Sequence, residues 1–168
     1  MLLGLCLVLA ILLATPLLNL PERLAAVVGP GERLVPIYYV ETDEKKVAFS
    51  FDASWGADRT EKILEILKEN EIKTTFFLTG FWVEAYPEYV KLIADAGHEI
   101  GNHTLTHPHL NNLTEEEIHS ELEKVEQMIA QVSGQKTALF RPPFGEYSNK
   151  VIETISGLGY TSVQWSID

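Results

Sequence analysis

The sequence predicts an α/β protein built on a parallel sheet, and three observations carry that prediction. From residue 46 onward, short β-branched or aromatic apolar runs alternate with stretches whose apolar residues recur at the helical period. The runs are spaced widely enough for a crossover helix between each pair, which is the pattern of βαβ units. Polar residues also fall just after the apolar runs, at the strand ends where parallel sheets carry function.

The elements follow in order. KVAFSF (46–51) reads as the first strand. Asp58 and Glu61 are spaced as a capping box and open a helix with Ile63, Leu64, Ile66 and Leu67 on one face. TTFFL (74–78) is the second strand, and Pro87 suits the first turn of a helix continued by Val90, Leu92, Ile93 and Ala96 and ended by Gly97. HEIGN (98–102) is the third strand. Thr114 and Glu117 form another capping box, ahead of a stripe of Ile118, Leu122, Val125, Ile129 and Val132 that Gly134 stops. ALF (138–140) is a brief fourth strand, Ser148 caps a helix through Val151, Ile152 and Ile155 to about Gly157, and YTSVQWSI (160–167) is the fifth strand. Five strands do not close a barrel, so the pattern fits an open doubly wound sheet or part of a (β/α) barrel. A last strand that stops at Asp168 with nothing to cover it reads as a fragment of a longer domain.

The flanks differ in composition. Residues 1–20 carry no charge and read as a hydrophobic signal or anchor segment, which places the domain outside the cytoplasm, membrane-anchored or secreted. Residues 21–45 are Pro/Gly-punctuated and contain one β-like run, VPIYYV, as linker and lead-in strand; the domain proper occupies 46–168. The net charge of −11 and the lack of a basic, aromatic-interleaved run exclude a nucleic-acid surface and favour a neutral polymer as substrate. Cys6, the one cysteine, lies in the leader, so neither a disulfide framework nor a thiolate metal site is available to the domain.

Polar residues follow all five strands and converge on one rim: Asp52 the first, Thr79-Gly80 the second, Asn102 and His103 the third, Arg141 the fourth and Asp168 the fifth. Asp52 follows the first strand and needs a partner to stay charged there, and Arg141 is the expected one. In HTLTHPH, His103 and His107 are four apart, a spacing that puts two imidazoles on one face of a helical turn as a divalent metal requires; the direction of His109, beyond Pro108, stays open. FRPPFGEY (140–147) supplies a proline-stiffened loop with Gly145 and a permanent charge on Arg141. His98 and His119 read as a strand-end and a surface helix residue. NHT (102–104) and NLT (112–114) match glycosylation sequons that matter only in a eukaryotic secretory route.

FSFDASWG, HTLTHPH and RPPFGEY, in this order and at these separations, resemble the first three motifs of the polysaccharide deacetylase group (NodB-homology, carbohydrate esterase family 4). The resemblance covers about residues 45–168, and FDASWG with TTFFLTGFWVEAYPE is most similar to the sporulation-type subgroup. It implies a distorted (β/α) barrel of which about the first five strand–helix units are present. It also implies metal-dependent N-deacetylation of a peptidoglycan- or chitin-like polysaccharide, by hydrolysis of a non-peptide C–N amide bond. Asp52 then matches the general base, Arg141 the residue that tethers it, and His103 and His107 two ligands of a divalent metal, zinc, with cobalt or another ion left open. The backbone near Tyr147 matches the oxyanion hole, and Trp55, Pro143, Phe144 and Tyr147 are expected on the substrate side, although Trp55 on size alone reads as core. The implied partners are the polysaccharide and, through the leader, the membrane, with the protein a monomer.

Two departures qualify the resemblance. Ala53 stands where most members carry an aspartate as third metal ligand, which leaves metal occupancy open. A fourth motif, Asp-x-x-Asp-Trp, would begin at Asp168, and a later Leu-His motif that supplies the general acid lies beyond it, so this chain is expected to be inactive or slow. The rival readings are a glycan-binding pseudoenzyme that has lost the metal and a structural envelope protein with a vestigial rim.

Overall fold

A computed structural model describes residues 31–168. The apolar leader expected at 1–20 and the linker as far as residue 30 lie outside the described residues. Among the described residues no helix is long and apolar enough to cross a membrane.

Five parallel strands form one sheet in the order β1 (Ser50–Ala53), β2 (Thr75–Leu78), β3 (Glu99–Asn102), β4 (Leu139–Phe140) and β5 (Thr161–Ser162). Among the described residues, five α-helices connect or flank them: α1 (Thr60–Glu69), α2 (Gly80–Ala85), α3 (Pro87–Asp95), α4 (Glu115–Ser133) and α5 (Asn149–Gly157). The α/β alternation read from the sequence is present. The lead-in run adds a single parallel bridge, Ile37 beside Val163, in place of a strand.

The apolar stripes explain where the helices dock. Ile118, Leu122, Val125 and Ile129 of α4 are all buried and join two clusters, one around Phe76, Leu78, Trp82 and Ile93, the other around Phe140, Val151 and Ile155. Full burial of each such side chain contributes roughly 1.5–3 kcal/mol, so α4 ties both halves of the sheet together. Ile66 and Leu92, expected on buried faces, are 46% and 44% exposed: each sits at the margin of its stripe, where the helix turns toward water.

The capping box at Thr114 and Glu117 is formed in both directions. The one expected at Asp58 and Glu61 is not. The N-cap of α1 is Arg59 in a helical conformation without a side-chain cap bond, and the Asp58 carboxylate lies 3.8 Å from Arg59 Nε instead. Helix α2 has no counterpart in the sequence reading, because six residues that bury Gly80, Trp82 and Val83 show no amphipathic period. Gly80 is required: a Cβ there would stand 2.4 Å from Leu105 Cδ1 and 3.0 Å from Leu105 Cα.

Candidate active-site rim

Strand register brings the polar residues together. Asp52 pairs with Phe77, and Phe77 with Gly101, so these three share the sheet face on which the Arg141 guanidinium lies, 4.1 Å above the Phe77 ring. Arg141 Nη1 donates to Asp52 Oδ1 at 2.7 Å, across 89 residues of sequence. The Arg141 side chain is 6% exposed and that of Asp52 33%. Asp52 is therefore a carboxylate open to solvent on one side and held by a nearly buried cation on the other, rather than a buried acid.

His103 follows β3 and is buried. Its Nδ1 lies 2.7 Å from the Arg141 carbonyl oxygen. A carbonyl only accepts, so Nδ1 carries the proton and Nε2 presents its lone pair. That Nε2 stands 3.9 Å from Asp52 Oδ2. Burial pushes the His103 imidazole down to about 4, against the pull of Asp52. His107 is also lowered, again chiefly by burial. Both rings are neutral near pH 7, the state in which imidazole binds a metal.

The two rings lie 5.0 Å apart, but no helical turn brings them together. The segment between β3 and the short turn at Leu110–Asn112 is irregular, with Thr104 at φ 69° and His107 at φ 55°. Left-handed non-glycine residues cost about 1–3 kcal/mol each, so neighbours must impose this path. Asn102 Oδ1 accepts from the Thr104 N–H, and Thr104 Oγ1 accepts from the His107 N–H. The first amides of α2, on Gly80 and Phe81, donate to the Thr104 and Leu105 carbonyls. Asn102 is itself fixed from below, its Nδ2 donating to the Leu122 carbonyl and to the Tyr160 hydroxyl. Sequence reasoning placed Asn102 on the rim but missed these contacts, because Leu122 and Tyr160 are distant in sequence and carry no motif.

The aromatic residues line the same rim. Trp55 is 77% exposed, so it is not core, and it meets His107 edge-on at 5.4 Å. Phe144 is 52% exposed, with φ 58°; it is T-shaped to His107 and stacked on His109 at 4.3 Å. His109 pairs with Glu146, its Nδ1 lying 2.9 Å from Glu146 Oε2. The Tyr147 hydroxyl pairs with that of Tyr38 at 2.9 Å. Pro143 is buried and shapes the loop rather than its surface.

A catalytic zinc takes three protein ligands. Here two imidazoles are available, Ala53 packs against the core, Ser54 is buried, and Asp58 is exposed beside Arg59. Among the described residues no three His, Cys, Asp or Glu side chains group as a metal site. The residues present do not fit a three-ligand catalytic centre.

Comparison with known proteins agrees with the motifs. The family model described as polysaccharide deacetylase matches residues 39–163. A protein named YlxY from Bacillus subtilis is 39% identical over 133 residues, 79% of this chain and 42% of its own length. The peptidoglycan-N-acetylmuramic acid deacetylase PdaA of the same organism is 36% identical, over 81% of this chain and 52% of its own. Among solved structures, a carbohydrate esterase family 4 pseudoenzyme from Bacillus anthracis superposes with a TM-score of 0.77 at 36% identity, covering 80% of this chain and 48% of that one. The chain thus spans about half the length of the relatives it matches. With the family model covering most of the domain and the three motifs meeting at one rim, the chain belongs to the polysaccharide deacetylase family.

Proposed function

We propose that the protein acts in the cell envelope, outside the cytoplasm, on an N-acetylated wall polysaccharide, and that its rim is laid out to hydrolyse the acetamide C–N bond of an N-acetyl sugar. The observation that carries this reading is the Asp52–Arg141 ion pair beside the free Nε2 of His103. In this reading Asp52 accepts the proton of the water that adds to the acetamide carbon, and Arg141, donating to its Oδ1, keeps it aimed. The C–N bond then breaks, acetate leaves, and the proton held on Asp52 is the one the departing amine needs. Trp55 and Phe144 offer exposed ring surface on which a sugar stacks, and backbone near Tyr147 receives the developing oxyanion. No step is assigned to a metal, because the third ligand is lacking. The apolar leader serves, in the same reading, to export or anchor the domain.

A second reading is favoured by Ala53 and by the likeness to the Bacillus anthracis pseudoenzyme: a protein that binds the glycan without turning it over. Acetate release from N-acetylated peptidoglycan or chitin oligomers, measured with metal content on the wild type and Ala53→Asp, separates the two. Acetate released by the wild type supports the hydrolase. Wild type that binds glycan, holds no metal and releases nothing, with metal gained only by Ala53→Asp, supports the binding protein.

A further inference from the structure

The histidine loop is held from a direction that no motif marks. Glu121, on the second turn of α4, accepts from the Thr106 N–H through Oε2 at 2.8 Å and from the Thr106 hydroxyl through Oε1 at 2.9 Å. Both carboxylate oxygens are therefore committed to one residue, midway between Leu105, whose carbonyl α2 holds, and His107, whose ring completes the pair. Charge-assisted bonds of this kind are about twice as strong as neutral ones.

The two imidazoles depend on the loop unequally. His103 has its own anchor, the Arg141 carbonyl, and is nearly inaccessible. His107 has a left-handed backbone and a loop-internal bond from its N–H to Thr104 Oγ1, and its ring packs against those of Trp55, His103 and Phe144 with no tie to a neighbouring strand or helix like that of His103. The upstream half of the loop is tied to β3 and α2 through Thr104 and Leu105, so the link to α4 is what limits the path of the chain into His107. From this the geometry points to Glu121 as a positioning residue for His107: its carboxylate sets the separation of the two imidazoles without touching either. The role in hydrolysis that this implies rests on the reading proposed above, whereas the positioning itself does not.

The test is a side-chain nitrogen–proton NMR spectrum of the five imidazoles in the full chain, recorded for wild type, Glu121→Ala, Glu121→Gln and Glu123→Ala. Glu123 is the control, since it sits on the same helix and pairs with His119 at 3.5 Å. Glu121→Ala is expected to shift or broaden the His107 signals, move those of His103, whose ring lies 5.0 Å away, by a smaller amount, leave those of His98 in place, and lower the thermal midpoint by about 4 °C. Glu121→Gln, which keeps an acceptor for Thr106, is expected to bring the His107 signals most of the way back, and Glu123→Ala to move only His119. If Glu121→Ala does not fold, Thr106→Val removes the hydroxyl bond alone and is expected to displace His107 in the same sense. His107 signals unchanged in Glu121→Ala, or displaced together with those of every other histidine and not restored by glutamine, overturn the assignment. A displaced His107 in a chain whose wild type releases no acetate counts instead against the hydrolase reading and leaves the positioning role standing.

Discussion

Two buried histidines bracket the same strand and behave differently. His98 sits just before β3 and His103 just after it; they are 3% and 2% exposed, and burial lowers the basicity of both. At the lower end, His98 Nδ1 accepts the Thr74 N–H at 3.4 Å, with the Phe76 ring beside it, so its lone pair is spent inside the fold. At the upper end the tautomer is reversed. His103 donates through Nδ1 and leaves the lone pair of Nε2 pointing at Asp52 and His107. Residue type and burial are therefore poor guides to function. What separates a structural imidazole from an available one is which nitrogen the backbone occupies.

The largest effect that tests this difference is on the reaction. Asp52→Asn keeps a hydrogen-bond acceptor for Arg141 but loses the base, and acetate release is expected to fall by about 10²–10⁴-fold. His98→Asn, at the other end of β3, is expected to leave acetate release within about twofold while losing roughly 1 kcal/mol of stability with the Thr74 bond. If His98→Asn slows the reaction as much as Asp52→Asn does, the division between the two ends fails.

The next effect is on stability against pH. A depression of His103 from 6.5 to about 4 corresponds to roughly 3 kcal/mol. Between these values the unfolded chain binds the proton that the folded chain refuses, so stability rises with pH across the window. It is fully present above 6.5 and lost as the pH falls toward 4. His98 contributes with the same sign. Urea midpoints at pH 7.5 and pH 5 are expected to differ less in His103→Gln than in the wild type, and His98→Gln is expected to flatten the difference by a smaller amount. Equal flattening would mean that the rim costs no more to protonate than the packed lower end.

What the sequence makes legible follows from the range of the interactions involved. The amphipathic stripe of α4 and its Thr114–Glu117 box were readable because every partner lies within one turn. The matching Asp58–Glu61 signature failed although its spacing is the same. A cap requires extended backbone at the first residue, as at Thr114 with ψ 166°, whereas Arg59 with ψ −7° is already helical and displaces Asp58 from the role. HTLTHPH correctly suggested that two imidazoles meet, yet spacing alone pointed to a helical turn. The loop that brings them together draws its hold from Asn102, Gly80 and Glu121, contributed by three different elements. The Asp52–Arg141 pair was readable for a different reason: in a parallel sheet, residues at or just past the carboxyl ends of two strands face one rim whatever their distance in sequence, although Asp52 lies within β1 and not beyond it.

The smallest expected effect lies between the two histidines. Gly101 occupies β3 on the face of Asp52 and Phe77, and a Cβ there would fall 2.4 Å and 2.6 Å from Phe77 ring carbons and 3.3 Å from the Leu139 carbonyl oxygen. Backbone cannot yield on the Leu139 side, so in Gly101→Ala the Phe77 ring must move, at a cost of about 1–3 kcal/mol. The displacement is directional. Phe77 carries the Arg141 guanidinium on its face, and Arg141 carries both the Asp52 carboxylate and, through its carbonyl, the His103 ring. His98 touches none of these and leans on Phe76, whose register partner is Ile100. Gly101→Ala is therefore expected to shift the His103 imidazole signals and leave those of His98 in place, measured in one spectrum with the denaturation midpoint recorded alongside. Movement of both histidines would show that β3 transmits the strain along its length and that its two ends are one unit; movement of His103 alone would locate the rim's sensitivity in the single ring beneath Arg141.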